Sequence, residues 1–415
     1  MHDTVKEKGY FKKTIQGVSW MALLRGGMRG LAIVKIALLA RFLSPSQFGT
    51  YGVVMIMFGL FEMLTETGVN VALIQEDDNV DDFISTAWIV SIIRGLVIAG
   101  ALFLIAPLVA HFFNTPEALQ MTRFASIIPL VRGFINPAIV KFQKKLIFHK
   151  EFYFRLCIYI VDTIVAVSAG ILLHSAYAFV WGMLIAAIIE VFLSFKVVIP
   201  TPTARFNIKK ARRVISRGKW ITFAGIFDYL FQHIDDIAIG KILGIAPLGL
   251  YQQAYRISTL SLSEVGEIFN KVTFPSYIQI AHDKKRLKKA FFKVTGVIFL
   301  IVSTFGVVLF LFAHTIVLIV LGEKWLGSVE ALKILVLFGM LKAVSSSVYS
   351  LLLAVRKQHI ITIITLISIV GLAVFLIPLI RAHGIVGASY APIIGTVAGI
   401  PFIIFYLRRI FSRGY

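Results

Sequence analysis

Cysteine is almost missing from this sequence. Cys157 stands alone among 415 residues, so no intrachain disulfide can form. It falls inside an apolar block, where a buried, inert thiol is the expectation. There is no GxxxxGK[ST] loop to cradle nucleotide phosphates and no HExxH pair to hold zinc, and the nine histidines form no cluster at metal-ligand spacing. The longest outer connection, near 313–329, leaves no room for an extramembrane catalytic domain of the kind membrane glycosyltransferases and polymerases carry. These absences favour a chain that is not an enzyme and carries no cofactor. Negative charge is also scarce, with 21 Asp and Glu against 42 Lys and Arg, a net charge of +21. In a soluble protein that excess would suggest nucleic acid. Here the basic residues sit mostly between apolar blocks, the topogenic pattern of a membrane protein, and nucleic acid is set aside.

Apolar residues are abundant. They make up 58% of the chain, with a mean hydropathy of +0.87, against roughly 45–50% apolar residues in soluble domains. They fall in blocks of about 20, the length of a membrane-spanning helix. ITIITLISIVGLAVFLIPLI near 360–380 is apolar all round, which a soluble core helix rarely is. The basic N-terminus MHDTVKEKGYFKK lacks a small-residue cleavage site and reads as the lead into an uncleaved first span. The pattern predicts an all-α polytopic membrane protein. Its spans, about twelve, lie near 14–40, 48–75, 83–110, 117–141, 152–174, 177–199, 217–243, 247–275, 291–313, 329–355, 359–381 and 385–407. The polar stretch 200–219 divides them into an N-terminal six-helix lobe (1–199) and a C-terminal one (220–415). Within this cytoplasmic linker, ARFNIKKARRVISRGK reads as a basic interfacial helix.

A repeat supports the division. ARFLSPSQFGTY (40–51) and GKILGIAPLGLY (240–251) align at a shift of 200, pairing Arg41 with Lys241, Leu43 with Leu243, Gly49 with Gly249 and Tyr51 with Tyr251. Each reads as a tight turn between two spans. Basic clusters precede span one and follow spans four, six, eight, ten and twelve, which places them on one side. By the positive-inside rule both termini are cytoplasmic, in the plasma membrane. Six spans per lobe is even, so the two lobes are parallel repeats about an axis along the membrane normal.

Charge at membrane depth is costly and marks cavities, partners or pathways. Arg25 and Arg29 share a face of span one beside a GxxxG pattern that permits close helix approach. Glu62, Glu66 and Asn70 follow at intervals of four in span two. Asp228, Gln232, Asp235 and Asp236 lie in span seven, and Glu264, Glu267 and Lys271 in span eight. Structural ion pairs are one reading; a water-filled cavity between the lobes, also lined by Arg94, Arg123 and Arg132, is the other and the preferred one. Glu62 and Glu66 suit either coupling to a proton gradient, a sodium gradient or the membrane potential, or a salt bridge to Arg25 or Arg29. Asp162 and Glu190 are read as a structural pair, and Trp88, Trp181 and Trp325 as packing or interface anchors. The repeat sets Lys35 opposite Asp235, which predicts an outer gate with Asp236 as substitute. The alternative is that each pairs inside its own lobe, or that Lys35 snorkels outward.

VALIQ (71–75), LIAPLVAHFFNTPEAL (104–119), FDYLFQHIDDIAIGKILGIAPLGLYQQAYRIS (227–258) and LGEKWLGSVEALKIL (321–335) resemble the polysaccharide biosynthesis and export family. This family belongs to the multidrug/oligosaccharidyl-lipid/polysaccharide exporter superfamily. The resemblance runs over nearly the whole chain. It implies two lobes around a central cavity, alternating access, and transport of an isoprenoid pyrophosphate carrying a short glycan from the inner to the outer leaflet. The implied partners are membrane lipid, that glycan-lipid and polysaccharide polymerase machinery. Members often have fourteen spans; this chain is read as stopping after twelve. Arg25 and Arg29 then suit the pyrophosphate, because guanidinium forks pair with phosphate oxygens. Glu62, Glu66, Asn70, Arg132, Asp228 and Gln232 suit the rest of the substrate site. The alternative function is an ion-coupled multidrug exporter of the same superfamily.

Overall fold

A computed structural model of the chain describes residues 2–64, 73, 81–145, 147–208, 211, 229, 230 and 232–412. The described residues are nearly all helical, with no strand among them. They form two compact units, 1–233 and 234–415.

The first unit contains α1 (His2–Phe42), α2 (Pro45–Leu64), α3 (Asp81–Phe112), α4 (Pro116–Ala125), α5 (Ile127–Gly133), α6 (Val140–Lys144), α7 (Phe148–Leu173) and α8 (Tyr177–Val197). α1 packs on α7 and α7 on α8, while α3 packs on α4 and α5. Val54 and Phe58 of α2, Ile98 and Leu102 of α3, Met121 of α4 and Val180 and Leu184 of α8 share one buried apolar core. α7 and α8 meet closely at Gly182. A Cβ there would stand 2.7 Å from the Asp162 carbonyl oxygen and 2.8 Å from the Ala166 Cβ, closer than real side chains come. The stretch from α4 to α6 is bent by 68° between Pro116–Gly133 and Pro137–Lys144, the geometry of a broken span or of a re-entrant loop. A broken helix at membrane depth must have its freed backbone groups satisfied by protein. Asn136, fully buried, does this: its amide donates to the Pro200 carbonyl (3.1 Å), its Oδ1 accepts from the Ala138 N–H (2.9 Å), and its own N–H donates to Ser194 Oγ (3.0 Å).

The second unit contains most of α9 (232–242), then α10 (Ile245–Tyr255), a π-helical turn (Arg256–Leu260), α11 (Ser261–Gln279), α12 (Lys284–Leu311), α13 (Ala313–Val320), a 3-10 turn (Glu323–Ser328), α14 (Val329–Ala354) and α15 (Gln358–Ser412). α14 is central, packing on α11, α12 and α15. Trp325 is completely buried and packs inside the unit, whereas Trp181 of α8 is 39% exposed. α15 is two arms broken at Gly384, whose φ of 60° and ψ of −138° lie outside the helical range and suit a residue without Cβ. The arms fold back on each other: a Cβ on Gly371 would stand 3.0 Å from the Gly395 Cα. They cover the predicted spans eleven and twelve.

The 200-residue repeat is a structural repeat. α2 begins at Pro45 and α10 at Ile245. The Phe48 N–H donates to the Ser44 carbonyl (3.2 Å) and the Leu248 N–H to the Gly244 carbonyl (3.4 Å); Leu43 donates to Leu39 and Leu243 to Ile239, both at 2.9 Å. The two turns are stabilised differently. In the first, Ser44 Oγ accepts from the Gln47 N–H (3.3 Å) and Gln47 Oε1 accepts from the Ser44 N–H (2.9 Å), a capping box with proline at the first helical position. In the second, Gly244 adopts φ 93°.

Among the described residues seven helices are long and apolar enough to cross a membrane, or eight if the bent α4–α6 segment is one span. α15 is one of the seven although it has two arms, and α1 carries Arg25, Arg29 and Lys35 along its length. The chain is an all-α polytopic membrane protein, and its outer surface agrees: Leu104 is 79% exposed, Leu172 80% and Leu300 68%. Cys157 corrects one expectation. It lies exposed on α7 beside the exposed Ile160 and Ile164, because an apolar block in a membrane helix has an outward face as well as a core face. Among the described residues nothing packs closely on the GxxxG stripe of α1. No described atom stands within 4 Å of a Cβ placed on Gly26 or Gly30, and only the Leu156 side chain nears Gly27 (3.5 Å).

Candidate functional site

The first unit holds a half-open polar cavity of about 470 Å³ between α1, α2, α7, α8 and the bend after α5. Lys35, Arg132 and Arg155 line it against Asp162 and Glu190, with Tyr51, Tyr159 and Met183 completing the wall. Three basic groups face two acidic ones, so the lining is basic by one charge.

Each charge has a defined setting. The Lys35 ammonium lies 2.5 Å from Asp162 Oδ2, linking α1 to α7, and both side chains are largely buried. Asp162 Oδ1 has no hydrogen-bond partner among the described residues and lies against Gly182. Arg155 reaches Glu151 one turn back and Glu190 on α8, both at 3.7 Å. Glu151 is fixed further by the Gln143 amide at 2.7 Å. Arg132 lies 3.7 Å from the Glu62 carboxylate, while Arg94 donates to the Glu62 carbonyl at 3.0 Å. The Arg132 Nε is buried without a partner among the described residues. Tyr51 stacks on Phe179 with ring centres 4.1 Å apart, which presents its hydroxyl to Met183 Sδ at 3.7 Å.

Residues 38–330 match the family of polysaccharide biosynthesis proteins. The chain belongs to that family. This family member is 26% identical over 359 residues to the lipopolysaccharide biosynthesis protein WzxC of Escherichia coli K12, covering 84% of the chain and 71% of that protein. It is 24% identical over 364 residues to the teichuronic acid biosynthesis protein TuaB of Bacillus subtilis 168, covering 83% and 71%. Among solved structures it is similar to the lipid II flippase MurJ in an inward closed conformation, with a TM-score of 0.74 at 15% identity over 93% of the chain and 87% of MurJ. A multidrug resistance transporter of the MATE family, facing inward, gives a TM-score of 0.67 at 15% identity over 92% and 94%. The fold is the one that MurJ and this MATE transporter share.

Of the residues the sequence singles out, the family member brings Lys35 and Arg132 to one cavity, with Glu62 beside Arg132. Arg25 and Arg29 lie on an exposed stretch of α1 and do not line it. Glu66, Asn70 and Asp228 lie outside the described residues. Gln232 is exposed. Asp235 is buried in the second unit, where Oδ2 accepts from the Tyr251 hydroxyl (2.7 Å) and Oδ1 from the Asp236 N–H (2.9 Å). Lys35 and Asp235 thus each have a partner inside their own unit. Arg123 stands over the Phe103 ring at 4.8 Å, a cation–π contact away from the cavity.

The reading of Asp162 and Glu190 as partners is corrected. Two carboxylates repel, and each instead takes a cation, Lys35 for Asp162 and Arg155 for Glu190. Sequence reasoning also passed over Arg155, Tyr159 and Tyr51 as cavity residues. The available signal was the spacing of Glu151, Arg155, Tyr159 and Asp162 at four, four and three, one stripe along α7.

Proposed function

We propose that the protein is a flippase that moves an isoprenoid-pyrophosphate-linked oligosaccharide from the inner to the outer leaflet for cell-surface polysaccharide export. The observation that carries this reading is the polar cavity of the first unit, on which Lys35, Arg132 and Arg155 converge. Guanidinium and ammonium groups pair well with a diphosphate, which can compete with the 3.7 Å contact between Arg132 and Glu62. The family membership and the flippase fold of MurJ support the same reading. A MATE-like fold also supports the second reading, export of organic cations. The lining argues against it, since Lys35, Arg132 and Arg155 repel a cation.

In this proposal the cycle is alternating access, no bond of the cargo is made or broken, and both termini are cytoplasmic. Energy comes from a proton or sodium gradient or the membrane potential. A polymerase takes up the glycan on the outer side. The gate between Lys35 and Asp235 belongs to the same proposal, and Lys35 must leave Asp162 for it to close.

Deletion of the gene tests the function. The lipid-linked glycan should accumulate in the cytoplasmic leaflet, where it resists a membrane-impermeant glycosidase added outside. Unchanged surface polysaccharide in the deletion strain would sink the proposal.

A further inference from the structure

A second cavity, of about 590 Å³, opens where the connections α1–α2, α3–α4 and α7–α8 meet at one end of the first unit. This is the end opposite Lys144, Lys145 and Lys150, so it faces outward if the basic connections are cytoplasmic. Its surroundings are apolar, with Phe112 43% exposed and Leu173 51%. Its lining is mixed. Ser46, Gln47, Glu117, Gln120, Ser175 and Tyr177 contribute hydroxyls, amides and one carboxylate beside Met121 and Ala176, and no basic residue is among the described residues that line it.

We infer that this cavity is an outer subsite for neutral, hydroxyl-rich sugar units. The inference rests on the flippase reading and deepens it. Hydroxyls and amides both donate and accept, which matches the alternating donors and acceptors of a sugar ring. Glu117 accepts only and repels anions, so the cavity does not take phosphate or an acidic sugar. Tyr177 supplies an aromatic edge to the same wall. The volume lies within the range of pockets that enclose small ligands, roughly 300–1,000 Å³. The wall is preorganised. Gln47 is held at both ends of its amide, Oε1 by the Ser44 N–H at 2.9 Å and Nε2 on the His174 carbonyl at 2.7 Å, which ties the α1–α2 turn to the α7–α8 turn. Such fixing reduces the entropy cost of binding a flexible glycan. The cavity polar groups thus divide between Gln47, which shapes the site, and Glu117, Gln120 and Ser175, which face the ligand space.

The test uses the full chain in its own cells, with Cys157→Ser removing the native thiol and Gln120→Cys placing a probe. Protoplasts or spheroplasts are treated with a membrane-impermeant maleimide. Labelling at position 120 should be at least about three-fold slower (roughly 0.6 kcal/mol) when the cell makes its lipid-linked glycan than when the first sugar-phosphate transfer to the lipid carrier is blocked. A control thiol from His111→Cys, on the exposed end of α3, should label equally in both. Adding Glu117→Gln to the Gln120→Cys protein should remove most of the protection, which passive shielding by passing glycan would not do. Equal rates at position 120, or labelling from the cytoplasmic side only, overturn the subsite. If the deletion strain still accumulates inner-leaflet glycan, the flippase reading survives that result. A deletion strain that accumulates none overturns both.

Discussion

Lys35 on α1 and Asp162 on α7, 127 residues apart, form an ion pair of 2.5 Å within the first unit. Removing one partner of a buried pair leaves an uncompensated charge, at a cost of about 3–5 kcal/mol. Lys35→Met and Asp162→Leu should each lower the denaturation midpoint of the protein in nanodiscs. The double variant should recover most of the loss, because it removes both charges together. A double variant no more stable than the worse single one would show that the pair does not bridge the two helices.

Arg132 is expected to outweigh Arg25 and Arg29 in transport. Its guanidinium lines the first cavity, whereas Arg25 and Arg29 do not. Arg132→Ala should cut export of the lipid-linked glycan by about ten-fold or more, the equivalent of about 1.4 kcal/mol. Arg132→Lys should restore only part, since an ammonium cannot make a bidentate contact. Quantifying surface polysaccharide per molecule of inserted protein separates this effect from misfolding.

Arg25→Ala and Arg29→Ala test the sequence-based assignment against the cavity. If the pyrophosphate first meets α1, the double variant should abolish export while the protein still inserts. Full export in that variant would leave Arg132 and Lys35 as the phosphate groups. Transport assayed in vesicles over a range of glycan-lipid concentrations would tell loss of loading from loss of turnover.

Gly182 sets the spacing of α7 and α8. Gly182→Ala places a methyl 2.7 Å from the Asp162 carbonyl oxygen and 2.8 Å from Asp162 Oδ1. Overpacking of this kind costs about 1–3 kcal/mol, and it should also displace the carboxylate that Lys35 holds. Thermal unfolding should show the first effect. Export should fall further than in Gly26→Ala, where no described atom obstructs the new methyl.

The span pattern was legible because it rests on local hydropathy and turn chemistry. The shift of 200 that sets Tyr51 opposite Tyr251 also sets Pro45 opposite Ile245, the first residues of α2 and α10. The pairing of charges was less legible. Nothing near Asp162 in the sequence points to Lys35, because the contact depends on α1 lying against α7. Glu190 looked like the natural neighbour of Asp162 since both sit in adjacent spans, yet like charges turn each toward a different cation. Arg25 and Arg29 share a helical face as their spacing requires, but a face says nothing of what it meets. The capping box of Ser44 and Gln47 was readable from its spacing of three and marks the edge of the outer cavity.

Every side chain lining the first cavity lies between Lys35 and Glu190. A ribosome adding roughly 5–20 residues per second completes that set well before the second unit exists. The charged chamber can therefore close, and its ion pairs can be sheltered from the translocation machinery, while the remaining half is still being synthesised. A truncated nascent chain that ends just beyond α8 should already resist proteolysis across α1 to α8.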